Sequence, residues 1–149
     1  MLAYARCKSV GVQKQGEHLR VVSGILEDEL YAMECEMVVN RATLTIESVQ
    51  TRMKRFTTKR CTRAQSVFLR AEGWRLGKDL DRRIKKELGR EGCRHMAVLM
   101  VDCCRTLARA EVARELREAI EKDPGLDKKG FLAQFYEGNP ELAEYLKLQ

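Results

Sequence analysis

Apolar positions alternate with a period of two in the first third of the chain and recur every three or four residues afterwards. In residues 30–39, Tyr31, Met33, Cys35, Met37 and Val39 fall on one face and Ala32, Glu34 and Glu36 on the other, the pattern of a half-buried strand. Residues 18–26 alternate too and group Leu19, Val21 and Ile25 on one face. Asn40-Arg41 reads as a tight turn, after which 42–50 returns with Leu44 and Ile46 toward the core, giving an antiparallel hairpin. Residues 6–14 predict another strand, turned back at Gln15-Gly16. The expected sheet is a three- or four-stranded antiparallel meander with one buried and one polar face.

Helical spacing follows. Residues 62–72 align Ala64, Val67, Phe68 and Ala71 and stop at Gly73. Leu76, Leu80, Ile84 and Leu88 recur every four residues, predicting a second helix that ends at Gly89. Residues 93–122 form the longest element, with Met96, Ala97, Met100, Cys104, Leu107, Ala108, Val112, Leu116 and Ile120 on its apolar stripe. Asp123-Pro124-Gly125 breaks the chain, and two short helices at 129–136 and 140–146 complete it, Asn139 suiting an N-cap and Pro140 a first turn. Strands first and helices afterwards specify an α+β fold, about three main helices on one face of the sheet. Residues 1–122 read as a single domain. Residues 123–149 read as a short helical extension packing on it or on another protein.

A chain of 149 residues with 44% hydrophobic residues can bury a core without staples. No run approaches the roughly 18 apolar residues of a membrane span, and Met1 to Arg6 has no apolar leader core. The expected location is therefore the cytoplasm, with all six cysteines reduced.

The net charge of +6 is concentrated in the middle of the chain. Residues 1–50 carry a net −2, residues 51–90 fourteen basic against four acidic side chains, and residues 91–149 again −2. Arg55, Arg60, Arg63, Arg82 and Arg83 are the candidate contacts of this stretch for an anionic partner. Nucleic acid is one such partner, but the few aromatics nearby (Phe56, Phe68, Trp74) do not make a base-stacking surface. The alternative is a solvated helix face beside acidic neighbours.

Two cysteines open predicted helices, where unpaired N–H groups favour a thiolate. Cys61 follows Lys59-Arg60, and Cys93 lies in Gly92-Cys93-Arg94-His95. On one regular helix Cys93 and His95 would point about 200° apart, so they converge only if Cys93 sits at or before the cap. Together with Asp28 from the turn Glu27-Asp28-Glu29, the set Cys61, Cys93 and His95 would suit zinc, iron or an iron–sulfur cluster. The other reading of each thiol is a buried or unreactive side chain; Cys35 and Cys104 read as core residues. Cys93 as nucleophile with His95 as base is a third reading, without a recognisable third group or oxyanion loop.

Gly24-Ile25-Leu26-Glu27-Asp28, a hairpin, Cys61 and then Gly92-Cys93-Arg94-His95 at a late helix start resemble an uncharacterised bacterial family, domain-of-unknown-function family 2889. Its Gly-Cys-Thr-His segment has Arg94 in place of threonine here. The resemblance spans about residues 4–112 and implies no activity. The order of elements is also similar to NifU/IscU-type scaffolds for iron–sulfur clusters. By that resemblance Cys61 and Cys93 match the second and third family cysteines, Asp28 stands in the turn of the first, and the histidine follows its cysteine instead of preceding it. Two functional expectations result. One is a small metal- or sulfur-handling protein using Cys61, Cys93, His95 and Asp28. The other is a non-catalytic module binding an anionic partner through residues 51–90.

Overall fold

The computed structural model describes residues 3–147; Met1 and Leu2 of the stretch inspected for a leader lie outside them. Strands β1 (Arg6–Gln15), β2 (Leu19–Asp28), β3 (Ala32–Asn40) and β4 (Thr45–Arg55) form one antiparallel sheet in chain order. Short helices follow: α1 (Lys59–Arg63), α2 (Gln65–Phe68, continued by a 3-10 turn over Leu69–Ala71), α3 (Leu80–Arg83) and α4 (Gly89–Glu91). The 29-residue α5 (Arg94–Lys122) crosses β1, β2 and β3, and α6 (Lys128–Gly138) and α7 (Pro140–Lys147) pack against it. The fold is α+β.

The buried sheet face carries Val22, Leu26, Met33, Cys35, Met37, Val39, Ile46 and Val49. On β3 this is the face that alternation picks out. On β2 it is the opposite one: Ile25 is half exposed, while Arg20, Val22, Gly24, Leu26 and Asp28 turn inward. The apolar set Leu19, Val21 and Ile25 is thus on the solvent side. The inward face of β2 looks polar only because Arg20 and Asp28 meet partners supplied by distant parts of the chain.

The turn between β3 and β4 is longer than the two residues expected. Asn40 Oδ1 accepts from the N–H groups of Ala42 and Thr43, and Leu44 adopts φ +56° before β4 begins at Thr45. A branched residue in the left-handed region costs on the order of 1 kcal/mol or more. Leu44 stays there because its side chain is buried and its carbonyl accepts from Leu76 N–H. Residues 73–76 lie beside the start of β4, with Gly73 at φ +86° making the return. Farther along that edge, Glu72 and Gln65 side chains accept from the N–H groups of Val49 and Met53, so α2 guards the free edge of the sheet.

Leu76, Leu80, Ile84 and Leu88 are all buried, but the helix expected across them starts only at Leu80, because Leu76 lies in the non-helical segment that pairs with the start of β4. Four-residue steps overrun a 3.6-residue turn by about 40° each. The chain corrects the drift by widening to a π-helical turn over Ile84–Leu88, which carries Leu88 back to the core and moves the end of the element to Gly92. The stop expected at Gly89 is therefore one turn early.

The first half of α5 is buried on two sides, by the sheet and by residues 80–91, so Leu99 and Cys103 are as deeply buried as the stripe residues Met100 and Cys104. Leu142 and Tyr145 of α7 belong to the same core. Tyr145 Oη donates to Asp81 Oδ1 at 2.7 Å, and Arg105 pairs with the other oxygen of that carboxylate. The apolar side of α7 is thus occupied within the fold. Asn139 does not cap α7 with its side chain; its amide accepts from Arg41 and donates to the Phe135 carbonyl. No helix among the described residues is long and apolar enough to cross a membrane.

Candidate functional site

The four residues expected to bind metal do not form a ligand set, and each has other surroundings. Asp28 closes the β2–β3 turn. Its Oδ1 accepts from the N–H groups of Leu30 and Tyr31, and its Oδ2 from Tyr4 Oη and Arg6 Nε, all at 2.8 Å. Burial alone would raise this carboxyl, but those donors hold it well below the usual carboxylate range. Its oxygens are fully engaged, and the side chain is inaccessible. Arg55 also donates to the Asp28 carbonyl.

Cys93 is the N-cap residue of α5, with the extended backbone (φ −137°, ψ 122°) that convergence with His95 requires. Its side chain nevertheless belongs to the buried core, and the preceding Gly92 is closely packed, since a Cβ added there would lie 2.7 Å from the Leu88 carbonyl oxygen and 3.0 Å from the Phe68 ring. His95 stacks on Tyr31 with ring centroids 4.3 Å apart, and Tyr31 Oη lies 3.5 Å from Thr57 Oγ1. Cys61 is half-buried, with its sulfur 3.7 Å from Thr58 Oγ1. Burial raises this thiol, and hydrogen bonds from Thr58 and Thr57 outweigh that effect and leave it below the ordinary range. Among the described residues no three His, Cys, Asp or Glu side chains are grouped to hold a metal ion. The donor set does not fit zinc, iron or a cluster, because Asp28 is saturated, Cys93 faces the core and His95 faces Tyr31.

The other thiols are set apart by depth. Cys103 is hydrogen-bonded to Cys35 and buried, and both effects keep it protonated; burial does the same for Cys104. Iodoacetamide at neutral pH is expected to label exposed Cys7 and half-buried Cys61 first, and Cys35, Cys103 and Cys104 only on unfolding. Peptide mass mapping reads the order, and early labelling of Cys103 would contradict this packing.

The basic stretch divides by its partners. Arg55 pairs with Glu27, Arg82 with Asp79, and Arg83 with Glu87 while lying 3.8 Å over the Trp74 ring. Arg60 and Arg63 of α1 are exposed and meet no carboxylate among the described residues, and the same holds for Lys59, Arg90 and Arg94. α2 packs against Gly92, Arg70 bridges to Glu91, and His95 reaches Tyr31 and so the Thr57 segment. These contacts bring α1 and the α4–α5 junction to the same end of the molecule.

A family model described as a protein of unknown function, DUF2889, matches residues 11–110. The chain belongs to the DUF2889 family. The match covers the sheet from the middle of β1 onward, α1 to α4 and the buried half of α5, so the Asp28 turn, Cys61, Cys93 and the unpaired arginines of this DUF2889 protein all lie within it. No curated protein and no solved structure is significantly similar to the chain.

One cluster in the DUF2889 fold escapes sequence reading. Glu111, at the middle of α5, accepts from Arg20 (2.5 Å), Arg41 (3.0 Å) and Arg114 (3.3 Å), and the Arg20 and Glu111 side chains are each 3% exposed. Burial raises the Glu111 carboxyl, but the Arg20 hydrogen bond and the three guanidinium charges bring it below the ordinary glutamate range. The available signal was a carboxylate one helical step beyond Leu107 and Ala108, a charge on an apolar stripe that calls for a counter-charge.

Proposed function

We propose that this protein is a non-catalytic binding module that meets an anionic partner through Lys59, Arg60 and Arg63 of α1 together with Arg90 and Arg94. The observation behind this reading is the concentration of exposed cations without carboxylate partners at one end of the fold. The exposed Lys78, Lys85 and Lys86 also meet no carboxylate among the described residues, and Lys85 lines a cavity with Arg94. The other arginines of the basic stretch, and Lys54, are already matched by nearby acids, as at Arg52 and Lys54 beside Glu34. Exposed pairs of that kind contribute little, but they lower the local potential that would attract a polyanion. Recognition is by charge, because the single tryptophan is covered by Arg83 and stacking platforms are sparse.

A labelled DNA duplex and a polyglutamate of similar charge, each followed by fluorescence anisotropy against salt, test the reading. Binding is expected to weaken steeply as salt rises, because each phosphate neutralised releases about 0.9 counterion. The Arg60→Glu and Arg63→Glu double variant is expected to bind at least about tenfold more weakly, with a salt slope lower by about two. The duplex and polyglutamate arms tell phosphodiester from carboxylate preference. Absence of saturable binding to either at low salt, or binding unchanged in the double variant, would refute the proposal.

A further inference from the structure

The two edges of the sheet are finished differently. On β4 the outward N–H groups of Val49 and Met53 are taken by Glu72 and Gln65. β1 forms the opposite edge. Asp28 N–H donates to the Tyr31 carbonyl and Arg41 N–H to the His18 carbonyl, so even-numbered positions along β2 bond to β3 and odd-numbered ones to β1. The β1–β2 register, Cys7 opposite Glu27 through Gln15 opposite Leu19, then leaves the N–H and C=O groups of Lys8, Val10, Val12 and Lys14 pointing away from the sheet. Among the described residues no helix, loop or side chain supplies a hydrogen bond to them. A ten-residue strand left open in this way is a template for another strand.

The residues of this edge nearly repeat when read backwards. Lys8-Ser9-Val10 precedes Gly11, and Val12-Gln13-Lys14 follows it. A two-fold axis at Gly11 would lay β1 antiparallel on β1 of a second copy with similar side chains matched, the self-complementarity that an isologous contact requires. Val10 would face the partner's Val12, and each half-buried valine would gain an apolar cross-strand neighbour beside the core. In that register the paired positions are the ones with free backbone groups, so Val10 and the partner's Val12 exchange both hydrogen bonds, as do Lys8 and the partner's Lys14.

Opposed lysines would by themselves resist the contact. Lys8, however, is bonded to Asp102 of α5, whose side chain is still 29% exposed, and Lys14 meets no carboxylate among the described residues. The two-fold brings Lys14 to the partner's Asp102, so each carboxylate stands between two lysines. Ala110 and Ala113 are the α5 residues beside Val12 and Lys14, short side chains that leave room for the second copy. At the axis itself a Cβ on Gly11 would meet nothing within 4 Å, so packing inside one chain does not account for the glycine. A glycine within a strand often marks the close approach of another backbone.

We propose that β1 pairs with β1 of a second copy, antiparallel about Gly11, joining the two four-stranded sheets into one. The contact uses no residue of α1 or of the α4–α5 junction, so it stands or falls independently of the basic face.

Sedimentation equilibrium of the full chain across a concentration series, with amide hydrogen exchange on the same samples, is the test. The mass is expected to rise from one chain to two, and the amides of Lys8, Val10, Val12 and Lys14 to gain protection in step. Val10→Pro deletes an outward N–H that the β1–β2 ladder does not use, a place where a sheet edge accepts proline. It is expected to weaken association at least about tenfold, since two bonds are lost per dimer. Gly11→Glu and Gly11→Lys add side chains into open space and set like charges against each other at the axis. Each alone is expected to associate several-fold more weakly than the wild type, and an equal mixture of the two to recover, because opposite charges then meet; circular dichroism checks that every variant keeps the fold. A chain that stays monomeric to about 1 mM overturns the proposal. So does a dimer that Val10→Pro leaves intact, or a Gly11→Glu and Gly11→Lys mixture that associates no better than either variant alone.

Discussion

Glu111→Ala is expected to lower the unfolding free energy by about 3–5 kcal/mol, because it leaves the buried Arg20 guanidinium without its counter-charge. Urea denaturation measures the loss directly. Arg41 and Arg114 are partly exposed and can turn to water, but Arg20 lies between the sheet and α5 and cannot. The same carboxylate links three separate parts of the fold: β2 through Arg20, the β3–β4 turn through Arg41, and the α6–α7 junction through the Arg41–Asn139 bond. A double change, Arg20→Met with Glu111→Leu, is expected to recover much of the loss by replacing the pair with apolar packing. A loss below about 1 kcal/mol for Glu111→Ala would show that Arg20 finds other partners.

The pH dependence carries the same sign. The folded Glu111 carboxyl lies below its unfolded value, so its contribution is fully present above the unfolded pKa of about 4.3 and declines as pH falls through the folded value. Asp28 is depressed in the same sense by the Tyr31 and Leu30 N–H groups, Tyr4 and Arg6. Acid unfolding below about pH 4 is therefore expected, and the stability gap between the wild type and Glu111→Gln should narrow as pH falls there. A gap that widens on acidification would contradict the assignment.

Gly24→Ala is expected to cost about 1–3 kcal/mol, the range for overpacking a closed core. An added Cβ would stand 2.5 Å from Cys103 Sγ and 3.1 Å from Leu99 Cδ1. Cys103 has no room to withdraw, being fully buried and in contact with Cys35. Cys103→Ala removes the offending sulfur, so the double variant is expected to be more stable than Gly24→Ala alone. That non-additivity, read from thermal or urea unfolding, separates the clash from any intrinsic effect of glycine on the strand. Strict additivity would place α5 farther from β2 than it stands here.

Legibility in the sequence followed the distance over which each feature is decided. The strands, the Gly73 return, the buried Leu76–Leu88 series and the Cys93 cap were readable because hydrophobic period and glycine placement act within a few residues. The inward face of β2 was misread because Arg20, Gly24 and Asp28 look like outward residues. Each faces inward for a long-range reason: Glu111 for Arg20, the approach of Cys103 for Gly24, and Tyr4 with Arg6 for Asp28. Cys61, Cys93 and His95 were correctly placed near helix starts, yet Cys93 turns into the core, His95 onto Tyr31 and Cys61 toward Thr58, directions that periodicity does not report. Among the basic residues, the sequence marked the stretch but not which charges were already paired.

Local patterning alone specified an α+β chain with an antiparallel meander followed by helices, because burial of one face per element is imposed residue by residue. Only the tertiary structure decided which polar side chains turn inward. Those positions are stable solely when a counter-charge or donor arrives from far along the chain, as Glu111 does for Arg20 across 91 positions.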